Sequence, residues 1–131
     1  DIIFDSQGNG VKGTEEMTGL KLMKAMDVEA GRVMMEGAVD VTMRMLISGD
    51  DGAPNFAMRL FEVGPGGRTP YHSHAWEHEI YIVDGKGKLV FGEEEKPFEK
   101  GDFIFVPGGN MHSFINTGAG KLQFLCLVPV D

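Results

Sequence analysis

The chain has 131 residues with 12 basic and 20 acidic side chains, a net charge of −8, so it fits one domain and repels phosphate backbones, which argues against nucleic acid as a partner. At this size about two-thirds of the unfolded surface can be buried, and no disulfide or structural metal is needed for stability. A single cysteine, Cys126, excludes an internal bridge and fits a reducing compartment, no apolar run reaches the ~20 residues of a membrane span, and no secretion signal is visible, so a cytoplasmic location is expected; the chain begins at Asp1 rather than methionine.

Residues 1–40 read as an N-terminal arm packing on the barrel or on a second subunit, and 41–131 as the barrel itself. Seven of the nine methionines (Met17, Met23, Met26, Met34, Met35, Met43, Met45) fall in the first fifty residues, where a flexible, gap-filling side chain suits an adaptable contact. Within the arm, Asp5-Ser6-Gln7-Gly8-Asn9-Gly10 with Glu16 approximates a calcium loop. Gln7 and Lys12 break the pattern and no entering helix fits upstream, so a polar turn is the expected reading.

From Asn55 onward short apolar runs alternate with glycine turns. Phe56–Val63 reads as a strand ended by Gly64-Pro65-Gly66-Gly67. Glu79–Val83 follows, closed by Asp84-Gly85-Lys86-Gly87, and then Lys88–Phe91, turning at Gly92 and an acidic tip, Glu93–Glu95. Phe103–Val106, Ser113–Ile115 and Leu122–Val128 complete the set. Six or more short strands without a helical period predict an all-β sandwich or barrel.

All four histidines lie in two short segments. Side chains two apart share a strand face, so His72 and His74 point the same way. His78 shares the side of Ile80 and Ile82 and heads inward, with Glu77 and Glu79 opposite. His112 follows a Pro-Gly-Gly turn, with Phe114 on its face. Four inward imidazoles from three strand ends can converge on one ion, and neutral imidazole is the commonest metal ligand.

These segments resemble the cupin superfamily, single-domain jelly-roll β-barrels that hold a metal within. Gly66, His72 and His74 match the first cupin motif; Gly101, Pro107, Gly109, His112 and Asn116 match every fixed position of the second. Where a typical cupin has glutamate after a gap of three or four residues from His74, a gap of three leads to His78 and a gap of four to Glu79. The six-residue gap to Gly85 starts from His78, which is therefore the third ligand, with Glu79 the substitute. With Ala-Pro-Asn-Phe, Met-Arg-Leu-Phe and Phe-Leu-Cys-Leu, this is similar to small tetra-histidine, manganese-binding cupins, from about Ser48 to Pro129. The resemblance implies one divalent metal on His72, His74, His78 and His112, manganese first and iron second. Imidazole also suits zinc, nickel and copper.

Four neutral imidazoles leave the full dipositive charge for whatever binds next, favouring anionic or enolisable oxygen. Phe114, Phe124 and Cys126 are pocket candidates, Cys126 being equally at home as a small core residue. Arg59 is either an anchor for a carboxylate or enolate substrate or an outward arginine paired with an acid. Asn116 reads as a turn former. The expected function is a metal-dependent oxidoreductase using dioxygen or a peroxide on a small anionic or aromatic molecule, since no acid–base side chain stands in the motifs. The rivals are an isomerase or lyase on a sugar acid, with Tyr71 or Tyr81 as base, and a non-catalytic small-ligand binder. Apolar strand faces (Tyr81, Val83) suggest a homodimer.

Overall fold

The computed structural model describes residues 19–130 and, ahead of them, the backbone pairing of β1 (Ile3–Phe4) with β2 (Gly10–Val11). Apart from that pairing, the calcium-like loop of 5–16 lies outside the described residues, as does Met17. The remaining strands are β3 (Gly31–Arg32), β4 (Val39–Ile47), β5 (Phe56–Arg68), β6 (His78–Asp84), β7 (Lys86–Phe91), β8 (Glu94–Glu99), β9 (Phe103–Val106), β10 (His112–Asn116) and β11 (Leu122–Pro129). They form one antiparallel sheet in the order β8-β7-β10-β5-β11-β6-β9, with β4 on β5 and β3 on β4. Curled on itself, this sheet is a jelly-roll half-barrel whose free edges are β8, β9 and, on the β4 branch, the short β3.

Alternation builds the interior. Along β11 the buried positions are Leu122, Phe124, Cys126 and Val128, and along β6 they are His78, Ile80 and Ile82. These meet Val41, Val63, Val106 and Phe114 in one core. On the outer face, Glu62 is buried but ionised: burial alone would raise its pKa, yet hydrogen bonds from Gln123 and Arg44, with Lys121 nearby, hold it below the usual carboxylate range.

The structure departs from the sequence reading in three places. The run Gly64-Pro65-Gly66-Gly67 does not end β5, which continues to Arg68 and there pairs with both Val39 and Ile115. Gly64 and Gly67 admit close neighbours, the Asp40 carboxylate and the Val39 carbonyl, while Gly66 takes a φ of +77° within the strand. β4 is not among the strands read from the sequence: it holds the β-branched Val39, Val41, Thr42 and Ile47, but Asp40, Met43, Arg44 and Met45 break up the signal. The acidic tip also opens a further strand, β8, whose charged residues hydrogen-bond along β7 at the sheet margin. Within the stretch read as an arm, Gly31–Arg32 join the sheet and Val33 and Ala38 pack on the core.

Candidate metal centre

Three strand ends bring the histidines together. His72, just beyond β5, and His112, at the start of β10, exchange backbone hydrogen bonds of 3.2 and 2.9 Å. His78 opens β6, paired with Val106 at the end of β9. His74 lies in the loop between, where its carbonyl accepts from the Gly109 N–H at 2.7 Å. That loop needs Gly108: a Cβ there would stand 2.1 Å from the Ala75 carbonyl oxygen. Gly85, the motif glycine after His78, is required for a different reason, a φ of +86° with the Lys121 carbonyl oxygen 2.6 Å from any Cβ.

Ligand nitrogens of His72, His74 and His112 all lie within 4.8 Å of one another, so these three could hold a metal ion. His78 stands beside that trio: its Nε2 is 2.7 Å from His74 Nε2, and its ring centroid is 5.0 Å from that of His112. Glu79 is exposed on the opposite face of β6. Tyr71 donates to the Gly92 carbonyl, Tyr81 is exposed on the outer face, and neither lines the cavity described below.

Each ring is held by its other nitrogen. Nδ1 of His72, His74 and His112 lies 2.9, 2.8 and 2.9 Å from the carbonyl oxygens of Pro70, Trp76 and Asn110, contacts in which it can only donate. That fixes the tautomer and leaves the Nε2 lone pair for a ligand. His78 differs, because its Nδ1 meets Cys126 Sγ at 2.9 Å, and Cys126 Sγ also accepts from Arg59 Nη2 at 3.1 Å. One set of proton positions satisfies the chain: Arg59 donates to the sulfur, the thiol to His78 Nδ1, and His78 Nε2–H to His74 Nε2. For His78 to present a lone pair at Nε2, its proton must move to Nδ1 with the sulfur as acceptor.

Electrostatics favour neutral rings. Burial, then repulsion from His74, His112 and Arg59, pushes His78 down to about 3. Burial also lowers His74 and His112, against the pull of the Trp76 and Asn110 carbonyls. Burial pushes the Cys126 thiol up although Arg59 opposes it. A metal fits this donor set. His112 Nε2 is buried without any hydrogen-bond partner among the described residues, an uncommon state for a ring nitrogen and the one an ion would relieve.

The rings open onto a cavity of ≈ 400 Å³ walled by Phe61, Phe114, Phe124, Trp76, Met35 and Met43, with Arg59, Thr69, Ser73 and Cys126 as its other polar lining. Arg59, Phe114, Phe124 and Cys126 thus all face the space beside the histidines. Sequence reasoning missed Trp76, which stacks on His74 at 4.3 Å and 6°, and the two methionines at the mouth. Spacing from His74 marks Trp76 as adjacent, but only the loop's backbone path turns its ring onto the imidazole.

A curled antiparallel sheet with clustered histidines at the ends of three strands defines a cupin. The chain belongs to that family: residues 59–128 match the Cupin domain. It is 38% identical to the polyketide cyclase RemF from Streptomyces resistomycificus, with a TM-score of 0.80 over 86% of this chain and 80% of that one. It is 32% identical over 120 residues to an oxalate-binding protein of Thermotoga maritima, covering 87% of this chain and 97% of that protein. A 1-methylthio-D-xylulose 5-phosphate methylsulfurylase of Rhodospirillum rubrum is 33% identical over 91 residues, 70% of this chain and 57% of its own length.

Proposed function

We propose that this cupin is a metal-dependent enzyme in which His72, His74, His78 and His112 hold one divalent ion, manganese first, at the floor of the cavity, and that it closes rings in small, enolisable, polyoxygenated molecules. The observation that carries the metal is the convergence of four rings, three of them locked through Nδ1 onto carbonyls, around the unpartnered His112 Nε2. The bound ion would supply Lewis acidity to a carbonyl or enol oxygen. Arg59 adds a positive charge where negative charge would develop, and Phe61, Phe114 and Phe124 exclude water around it. Likeness to a polyketide cyclase over most of the chain supports ring closure as the reaction. Aromatic walls suit such a substrate better than a sugar acid.

A second reading, oxidation by dioxygen or a peroxide, draws on the cavity's lack of a carboxylate or tyrosine among its described lining residues, since proton transfer ordinarily needs a placed base. Incubation with a poly-β-carbonyl probe under argon and in air separates the two. Equal conversion in both is the expected result; conversion only with stoichiometric oxygen uptake would transfer the assignment to an oxidoreductase. Retention of the probe without turnover would leave a binding protein.

A further inference from the structure

Arg59 is the one charged side chain among the cavity's described lining residues, counting its histidines as neutral, and the protein leaves its donors largely unused. It sits mid-strand on β5, between Met45 of β4 and Cys126 of β11. Nη2 donates to the Cys126 sulfur, a weak acceptor, and Nε is buried with no partner among the described residues. No ion pair among the described residues includes Arg59. Its neighbour in the sheet, Arg44, shows the ordinary arrangement, paired with Glu62 on the outer face. A partly buried guanidinium without a carboxylate costs folding free energy, and a bound anion would recover some of it.

Its setting also fixes a shape. The guanidinium carbon stands 4.9 Å from the Phe61 ring centroid, and Phe61 stacks on Phe124 at 5.2 Å and 12°. Cation and rings form a stacked column leading from Arg59 toward Phe114, whose ring is 4.9 Å from Phe124 and tilted 34° against it. A single sulfur separates the guanidinium from His78.

We infer that Arg59 is an anion anchor, and that the natural ligand is a planar aromatic or polyenolic molecule bearing an ionised oxygen, a carboxylate or phenolate, held between Arg59 and the histidine cluster. This rests on the reading of the cavity as the reaction chamber. A planar guanidinium accepts such an oxygen with directed, charge-assisted hydrogen bonds while the rings cover the ligand's face.

The test is calorimetric titration of 2-naphthoate and of its neutral analogue 2-naphthalenemethanol into wild-type, R59Q and R59K protein, each metal-loaded and after chelation. Wild type should favour naphthoate by about tenfold or more. R59Q should lose that preference and bind the alcohol within about twofold of wild type, with R59K intermediate because the charge remains but the planar fork is gone. Chelation should leave the Arg59-dependent difference in place. A wild-type protein with no preference, including one that binds neither probe, overturns the assignment without any variant. So does R59Q weakening both probes equally, or neither. Wild type that retains metal yet shows no preference refutes the anchor; wild type with the preference intact but no metal retained refutes the metal centre instead.

Discussion

At the scale of single residues, the histidines separate by what lies behind them. His78 is buried among imidazoles while Glu79, one position on, faces solvent. His78→Ala should therefore cut retained metal at least about tenfold, as loss of a ligand or its support does, and Glu79→Ala should leave it within about twofold; elemental analysis after gel filtration decides. In metal-free protein the depressed histidines also set a pH dependence. Unfolded, each takes up its proton near 6.5, whereas folded His78 resists until about 3. The unfolded state thus binds more protons between those values, and stability, complete above pH 6.5, should fall steadily down to about pH 3. Thermal melts of chelated protein at successive pH values read this directly, and His78→Phe should flatten the slope. Trp76 is the only tryptophan and lies against His74. Adding a divalent ion to chelated protein should change its fluorescence with a stoichiometry of one; an unchanged spectrum would count against His74 as a ligand. The spacing of the histidines was readable because each motif is local and strand parity fixes relative direction. Arg59 was not, because parity cannot say which face of β5 is the inside, and the partner that decides it, Cys126, lies on another strand.

At the scale of elements, the turns around the site are fastened by buried side chains more than by strand pairing. Asn116 donates to the carbonyls of Val63 and Gly120 and accepts from the Gly118 N–H, which ties the β10–β11 turn to β5. Thr69 does the same on the other side, its hydroxyl accepting from the Phe114 N–H and its carbonyl from Ser113. Asn116→Ala strands several buried polar groups and should cost about 2–4 kcal/mol. Denaturant titration should show that loss with metal content unchanged in the folded fraction. Most strands could be read from alternation, since their inward residues are apolar and their outward ones are not. β8 could not: Glu94, Glu95 and Lys96 carry no strand preference and are extended only because β7 offers a ladder. β5 was cut short for the opposite reason, its glycines belonging to a strand that another backbone crosses closely.

At the scale of the whole molecule, the outer face of the β6–β9 margin carries aromatic rings around the single carboxylate of Glu79. Phe103 and Phe105 are 84% and 61% exposed, beside the half-exposed Tyr81. Such a patch is expected to meet a second copy. Sedimentation should give the mass of two chains, and Phe105→Asp should weaken association by about 100-fold, as loss of a central aromatic contact does. A wild-type monomer at micromolar concentration would refute this. The β8 and β9 margins of the sheet are not alike. β8 presents glutamates, a lysine and Pro97, which has no N–H to offer, whereas β9 presents Phe-Ile-Phe-Val with no charge in it. Of these two rims one repels newcomers and the other is adhesive, so a partner strand is directed to β9. Two copies related by a twofold axis would hide that rim from everything else, ending growth at a pair and forestalling fibres.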